Sequence, residues 1–291
     1  MLTDIPSNSF AHWPRLRRLS LSGNELTALP ANVLTGSTAL EVLKVESNQL
    51  TALPATFLTG LVHLRNLSLG INELTSLAPN FLSGLTNLQY LYLYFNQLTV
   101  LPPQFLRDQH QLVHLSLEDN LIANIPTGAF DSLTRLEYLY LYSNHISALQ
   151  ADAFARLTRL LHLSLESNRL TALPAGLLNS LPHLEMLYLY ANDLTTLPAH
   201  FFDHQGSLFH LSMQYNALSE LPAGIFDHLQ ALEALYLESN QLRALPRDAF
   251  QALTRLRILS LENNHLTTLL PGVFDAQTQL QQLNISYNDL T

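Results

Sequence analysis

The sequence predicts a fold of the α/β class, an open horseshoe-shaped solenoid whose concave side is a parallel β-sheet of about twelve strands. Two observations predict it. Asn recurs every 24 residues from Asn24 to Asn288, with no insertion or deletion between. Each of these Asn residues ends the same pattern, L-x-x-L-x-L-x-x-N, in which Val, Ile or Met sometimes replaces a Leu. Because a regular repeat of this length forms one unit that stacks on the next, an elongated array of repeats is expected.

The alternating L-x-L of each repeat predicts a short strand. In the repeat that starts with Leu136 at position 1, Leu139 and Leu141 stand at positions 4 and 6 and Asn144 at position 9. An apolar residue at every second position lies on one face of a strand, so these Leu side chains are expected to face inward. Strands that recur in one direction are expected to stack as a parallel sheet, which buries the apolar side that one repeat alone would leave exposed.

The Asn at position 9 is expected to be structural. It stands where the chain turns out of the strand, and its amide offers two donors and one acceptor. These groups can pair with turn backbone groups of its own repeat and of the neighbouring one.

The outer side of each repeat is predicted from a Leu-Pro step and an apolar residue four positions after the Pro. Leu53-Pro54 is one such step. Pro has no backbone N–H, which is tolerated on this side because no sheet hydrogen bond is needed there. The apolar residues, which are expected to fill the core from the outer side, are Leu34, Leu58, Leu106, Phe202, Phe226 and Phe250.

The repeats predict a single domain over residues 1–291. A half repeat covers 1–15, full repeats cover 16–279, and a half repeat covers 280–291. Because both end segments stop in mid-repeat, we expect the chain to be part of a longer protein.

Composition and charge exclude several classes of function. The formal net charge is −9, Lys44 is the single Lys, and no basic cluster is present, so no nucleic-acid partner is expected. No apolar run approaches the roughly 18 residues of a membrane span, so no membrane insertion is expected. Cys is absent, which excludes thiolate metal sites. No cofactor is expected. The first residues contain no signal peptide, and an extracellular or cell-surface location is favoured.

The candidate binding surface is the concave face, where side chains at positions 3, 5, 7 and 8 are expected to project. All eleven Tyr stand at these positions. Tyr contributes large contacts at low entropy cost, and Ser and Asn add polar contacts. The same face has six acidic residues (Glu46, Glu118, Asp119, Glu166, Glu238 and Glu262) against Arg18 and Lys44, a formal −4, which favours a partner with a basic patch. The candidate ligand-binding residues are Tyr90, Tyr92, Tyr94, His114, Glu118, Tyr138, Tyr140, Tyr142, His162, Glu166, Tyr188, Tyr190, His210, Tyr215, Tyr236 and Glu238.

A second period of 48 residues is superimposed on this face. Position 5 is Tyr in one repeat and Ser in the next over much of the chain, and the Ser strands at residues 114, 162 and 210 have His at position 3. Duplication of a pair of repeats would copy such a pattern without any binding role. The strand preference of Tyr is a further explanation for its placement.

Catalytic and metal sites are weaker interpretations of the same residues. His114, Ser116 and Glu118 lie on one strand face and suggest a Ser–His–acid hydrolase. However, the acid lies beyond the Ser rather than behind the His, and no oxyanion hole is evident, so this interpretation is disfavoured. His114, His162 and His210 stand two strands apart, about 9.6 Å at ordinary strand spacing, which is too far for one metal ion.

The unit L-x-x-L-x-L-x-x-N-x-L-x-x-L-P-x-x-x-F-x-x-L resembles the leucine-rich repeat in its 24-residue form. Stretches such as 221–227 are similar to variable lymphocyte receptors and Toll-like receptor ectodomains, although the chain lacks their Cys-rich caps, and a bacterial member fits as well. The resemblance implies ligand binding on the concave sheet by a non-enzymatic, receptor-like or adhesion module, with a protein or peptide as partner. The alternative is the recognition domain of a larger secreted effector.

Overall fold

The computed structural model describes residues 1–10 and 12–291. The chain forms two compact units, Met1–His145 and Ile146–Thr291. Among the described residues there are twelve strands of three residues each, at positions 3 to 5 of successive repeats. In the first unit these are β1 Arg18–Ser20, β2 Val42–Lys44, β3 Asn66–Ser68, β4 Tyr90–Tyr92, β5 His114–Ser116 and β6 Tyr138–Tyr140. In the second unit they are β7 His162–Ser164, β8 Met186–Tyr188, β9 His210–Ser212, β10 Ala234–Tyr236, β11 Ile258–Ser260 and β12 Gln282–Asn284.

Within each unit every strand pairs in parallel with the next strand along the chain. The register offset is one repeat throughout: Leu91 lies opposite Leu115, and Leu187 lies opposite Leu211. Equivalent repeat positions therefore form columns that run across the strands. The predicted solenoid with a parallel sheet of about twelve strands is confirmed.

The segments that connect the strands on the outer side are successive turns, and the described residues contain no α-helix. In the repeat of Pro54, the N–H of Phe57 donates to the Pro54 carbonyl, and the N–H of Leu61 donates to the Leu58 carbonyl. Such bonds span three residues, and Gly60 then takes a positive φ of 86°. The segment thus changes direction before a helix can extend. None of the described residues forms a helix that could cross a membrane.

The core lies between the sheet and these outer turns. Leu136, Leu139 and Leu141 are fully buried, as the alternation predicts. The six residues expected to fill the core from the outer side are also buried. In the second unit Phe202, Phe226 and Phe250 stack with ring centroids 6.3 and 6.2 Å apart. Each of these three repeats therefore adds one ring to a column, which ties neighbouring repeats together away from the sheet.

The Asn column has the structural role expected of it. The Nδ2 group of Asn144 contacts the carbonyl oxygens of Leu117, Leu141 and Tyr142 at 3.0 to 3.1 Å. Its Oδ1 accepts the N–H of Ile122 at 3.0 Å. Leu117 and Ile122 belong to the preceding repeat, so each Asn joins two repeats as well as closing its own turn.

Candidate functional site

The candidate surface, here called the sheet face, consists of the side chains at positions 3, 5 and 7 of the repeats. They project from the strands on the side opposite the buried Leu residues. Tyr138, Tyr140 and Tyr142 are half-buried, whereas Leu139 and Leu141 between them have no exposed surface. The alternation of the strand thus places the predicted Tyr residues on an accessible face.

The aromatic residues of the first unit collect around one histidine. The imidazole of His114 has its centroid 4.8 Å from the ring of Tyr92 and 5.2 Å from that of Tyr140. Tyr90 and Tyr138 follow at 6.4 and 5.8 Å. His114 comes from β5, and the four Tyr residues come from the strands on either side. The 48-residue alternation of Tyr and Ser at position 5 therefore has a structural consequence. The small Ser116 side chain on β5 leaves room for Tyr rings from both neighbouring strands.

Ser116 and Glu118 lie closer to the sheet backbone than these rings, on β5 and just after it. Ser116 pairs in register with Tyr92 on one side and Tyr140 on the other, and it is 1% exposed. Its hydroxyl donates to both carboxylate oxygens of Glu118, at 2.8 and 2.7 Å. The hydroxyl thereby holds the carboxylate against the sheet.

Burial of four of the six position-5 serines corrects one expectation. Ser residues were expected to offer polar contacts to a partner, but Ser68, Ser116, Ser164 and Ser212 are 1 to 3% exposed. Each of them lies in register with a Tyr on a neighbouring strand, and their hydroxyl groups form hydrogen bonds within the protein. Their contribution is to position the acidic or imidazole group beside them.

The same residues line a shallow, open pocket of about 300 Å3, here called the tyrosine pocket. Its walls come from β4 and β6 and the residues that follow these strands, and its floor comes from β5 and Glu118. The lining residues are Tyr92, Tyr94, His114, Ser116, Glu118, Tyr140 and Tyr142.

Two carboxylates act on the Tyr residues of the pocket. The pKa of Tyr92 is raised by burial first, then by Tyr90 and Glu46, and further by Tyr94 and Glu118. The pKa of Tyr94 is raised by burial and by the same two carboxylates. Burial also lowers the pKa of His114 below its usual value of 6.5, so His114 is neutral at pH 7 and adds no positive charge.

A glycine allows Tyr94 to take its place in the pocket wall. A Cβ at position 70 would lie 2.5 Å from Cε1 and 2.6 Å from Cζ of the Tyr94 ring. The ring therefore lies directly over the backbone of Gly70, where no larger residue fits without displacing it. This role was not predicted from the sequence. The signal was Gly at position 7 of a single repeat, next to a repeat with Tyr at that position.

The second unit repeats part of this arrangement. His210 lies 4.9 Å from the ring of Tyr188 and 5.4 Å from that of Tyr236. Its Nε2 forms a 2.8 Å hydrogen bond with the hydroxyl of Ser212. Here position 7 is Gln214 instead of a Glu, so the floor of this second cluster is uncharged.

The remaining candidates of the second unit differ in accessibility. Tyr190 and Glu238 are half-buried, and His162, whose pKa is lowered by burial, is half-buried on β7. Tyr215 is 60% exposed. Glu166 was expected to contact a ligand, but only 7% of it is exposed. Its carboxylate accepts the Ser164 hydroxyl at 2.6 Å, so Glu166 has little surface left for direct contact with a ligand.

The buried carboxylate of Glu166 leads to a stability prediction. Burial raises the pKa of Glu166 above its usual value of 4.5, although the Ser164 hydrogen bond opposes the shift. Because the folded-state pKa is raised, the stabilising contribution is present below the unfolded pKa and is lost as pH rises through the folded one. We expect Glu166→Gln to raise the urea midpoint at pH 7 and to leave it unchanged near pH 4. Gln keeps an oxygen for Ser164.

Urea titrations of both proteins at the two pH values measure this effect. Glu262→Gln is the matched control, since Glu262 has the same repeat position but is half-buried, and it should change neither midpoint appreciably. A Glu166→Gln protein that is less stable than the parent at pH 7 would contradict the prediction.

Position 8 has a left-handed backbone in successive repeats. Ser47, Asp119 and Ser143 have φ of 50 to 54°, and so do Ile71 (52°) and Phe95 (50°). The small polar residues suit this conformation, whereas a β-branched Ile there costs roughly 1–2 kcal/mol.

Ile71 and Phe95 are 45 and 58% exposed, and they lie side by side because the Ile71 N–H donates to Tyr94 and the Asn72 N–H donates to Phe95. Strained apolar residues at an exposed turn are typical of functional surfaces. Position 8 was predicted to lie on the concave face, but neither residue is among the candidates predicted from the sequence. The signal was an apolar residue in a column that is otherwise mostly Ser, Asp, Asn or Gly.

The geometry does not assemble the hydrolase constellation. In β5 the hydroxyl of Ser116 donates to Glu118, while the imidazole of His114 lies among Tyr rings. In β9 a His–Ser hydrogen bond does form, but Gln214 takes the place of the acid. Among the described residues, no group of three His, Cys, Asp or Glu side chains is arranged to hold a metal ion.

Solved structures with a similar fold come from a bacterium, from Drosophila and from a complex of three other proteins. A leucine-rich-repeat protein of Leptospira interrogans matches with 28% identity and a TM-score of 0.75, over 100% of this chain and 83% of that one. A chain of the Drosophila Toll–Spatzle complex matches with 27% identity and a TM-score of 0.90. That match covers 99% of this chain but 40% of the other, so this chain spans less than half of it.

A chain of the octameric complex of Latrophilin 3, Unc5D and FLRT2 matches with 26% identity and a TM-score of 0.78, over 91% of this chain and 80% of that one. No curated protein is significantly similar in sequence.

The family model described as leucine rich repeat matches the chain six times, at residues 1–50, 38–98, 87–146, 136–194, 189–242 and 234–290. These matches cover nearly the whole length and coincide with the strands and Asn turns described above. The chain therefore belongs to the leucine-rich-repeat family.

Proposed function

We propose that this chain is a protein-recognition module, with a receptor-like or adhesion role, that binds its partner through the sheet face. The observation that carries the proposal is the aromatic cluster around His114, in which four Tyr rings from two strands present a half-buried surface beside a fixed carboxylate. Tyr is enriched at binding hot spots because it combines a large apolar area with a polar group.

The structural relatives support a protein partner. Toll was solved with Spatzle, and FLRT2 was solved with Latrophilin 3 and Unc5D. The carboxylates of Glu46 and Glu118, which raise the pKa of Tyr92 and Tyr94, favour a partner with a basic patch, because complementary charges speed association and disfavour wrong partners. Catalysis is not part of the proposal, since the hydroxyl of Ser116 is buried and bonded to Glu118.

Affinity capture with three immobilised forms of the chain tests the proposal. The forms are the parent, the double variant Tyr90→Ala/Tyr138→Ala on the sheet face, and Arg135→Ala on the outer side, where the arginine is exposed. We expect the same protein to be enriched by the parent and by Arg135→Ala and to be lost with the double variant. Circular dichroism of each form establishes that it is folded. Capture that survives the double variant but is lost with Arg135→Ala would place the binding surface elsewhere.

A further inference from the structure

We propose that an open pocket formed by β10, β11 and β12, here called the glutamate pocket, binds the ammonium group of one lysine side chain of the protein partner. This inference rests on the proposed function, because it identifies one chemical group that a bound protein would insert. It is drawn from the second unit alone, which contains every residue that lines the pocket.

The glutamate pocket lies beside the last Tyr of the position-5 alternation. Its volume is about 410 Å3, within the roughly 300–1,000 Å3 that is usual for ligand sites. One side is formed by β10 and the residues just after it, and the remainder is formed by β11 and β12. The lining includes Tyr236, Glu238, Ile258, Ser260, Leu283 and Asn284.

The carboxylate of Glu238 lacks one of the donors that it needs. Its Oε2 is buried and has no hydrogen-bond partner among the described residues. A charged group removed from water without a partner is costly, and a donor of opposite charge offsets that cost. No Lys, Arg or His lines the pocket, so the described part of the chain supplies no cation there. Because the terminal torsion of a Glu side chain is soft, a rotation of the carboxylate turns Oε2 towards the pocket.

The same two repeat positions form a closed pair in the first unit. Ser68 is at position 5, Glu46 is at position 7 of the preceding repeat, and the Ser68 hydroxyl donates to the Glu46 carboxylate. Ser260 and Glu238 have the same relation in the second unit, but Oε2 of Glu238 has no donor among the described residues. The carboxylate of Glu46 is therefore engaged within the protein, whereas that of Glu238 can accept an external donor.

The residue on the next strand explains why the second pair is open. Ser68 has Tyr92 in register on β4, whereas Ser260 has Asn284 in register on β12. The amide of Asn284 donates to Glu262 at 2.6 Å. Because this side chain is smaller than a Tyr ring and already bonded, the space beside Ser260 stays open.

The pocket suits a point charge on an apolar stem. An ammonium group has three donors, and it can direct one of them to the Glu238 carboxylate and another to the Ser260 hydroxyl. The methylene stem of a lysine can lie over Ile258, which is half-buried, and Leu283, which is 41% exposed. A guanidinium group gains most from aromatic stacking and a bidentate carboxylate. Here one Tyr ring lines the pocket, and one carboxylate oxygen lacks a partner.

Nuclear magnetic resonance of the full chain with isotope-labelled Ile methyl groups tests the inference. The probe is Nα-acetyl-lysine methylamide, with the norleucine analogue as its uncharged counterpart and the arginine analogue as a second cation. We expect the lysine probe at millimolar concentration to shift the methyl resonance of Ile258. The methyl group of Ile71, which is 45% exposed in the first unit, should not move.

We expect Glu238→Gln to weaken binding of the lysine probe by about tenfold or more, because a hydrogen bond to a charged group is lost. Gln214 has this position in the preceding repeat, so the solenoid accepts Gln there. Glu46→Gln is the matched control. It has the same repeat position in the closed pair and should bind the probe like the parent.

Asn284→Tyr tests the space rather than the charge. It places a Tyr in register with Ser260, as Tyr92 is in register with Ser68, and should abolish probe binding while Glu238 is unchanged. Equal shifts with norleucine or arginine, unchanged binding by Glu238→Gln or by Asn284→Tyr, or no shift of the Ile258 methyl group would overturn the inference.

The outcome is separable from that of the proposed function. Glu238→Gln should also lower the affinity for the captured partner, and an unchanged affinity would overturn the assignment of the lysine to that partner. If the lysine probe fails to bind while the Tyr90→Ala/Tyr138→Ala variant still loses the partner, the recognition surface stands and the lysine inference falls. If the probe binds while that variant retains the partner, the pocket stands and the Tyr cluster is not the partner's surface.

Discussion

Replacement of Asn144 by Ala is expected to lower the free energy of unfolding by about 3 kcal/mol, at the upper end of the roughly 1–3 kcal/mol for one buried polar group left without a partner. Asn144 is 4% exposed, and its amide serves one N–H and three carbonyl groups of two repeats. Ala leaves the N–H of Ile122 and the carbonyl of Leu117 without this partner, where water has little access. Equilibrium denaturation in urea measures the loss.

Asn24→Ala is the matched control. Asn24 has the same repeat position and accepts the Leu2 N–H at 2.9 Å, but it is only half-buried. Water can therefore replace some of the hydrogen bonds that the Asn24 amide forms, and the free energy of unfolding should fall clearly less than for Asn144→Ala. Equal losses at both positions, or no loss at Asn144, would show that the column does not stabilise the stack through buried hydrogen bonds.

Replacement of Tyr140 by Ala is expected to lower the affinity for the partner by at least about 2 kcal/mol, roughly thirtyfold. The ring of Tyr140 packs 5.2 Å from His114 and forms part of the tyrosine pocket beside Glu118. Truncation removes a large contact area and admits water to the centre of the cluster, where hot spots concentrate. Titration calorimetry with the captured partner measures the change.

Two controls accompany the Tyr140 variant. Arg135→Ala on the exposed outer side should bind within experimental error of the parent. The stability of Tyr140→Ala must be measured in parallel, so that loss of binding can be separated from loss of fold. The proposal is wrong if Tyr140→Ala binds like the parent while an outer-side variant loses binding.

The columns of the solenoid could be predicted in detail because the repeat has no insertion or deletion. A constant spacing of 24 residues places position 4 of one strand opposite position 4 of the next, as Leu91 and Leu115 lie in the structure. The inward Leu residues and the Asn turn follow from this register. The turns on the outer side were less predictable, because a short segment that begins with Pro is compatible with either a helix or successive turns.

The sequence by itself determined which side chains share the sheet face, since the alternation along a strand and the repeat spacing depend on local order alone. Only the tertiary structure decided which of them a partner can reach. Tyr rings from the neighbouring strands cover Ser116, Glu166 is nearly buried, and Gly70 makes room for Tyr94. The physical reason is that exposure depends on the volume of the side chain one repeat away on the adjacent strand, which becomes a neighbour only when the solenoid has formed.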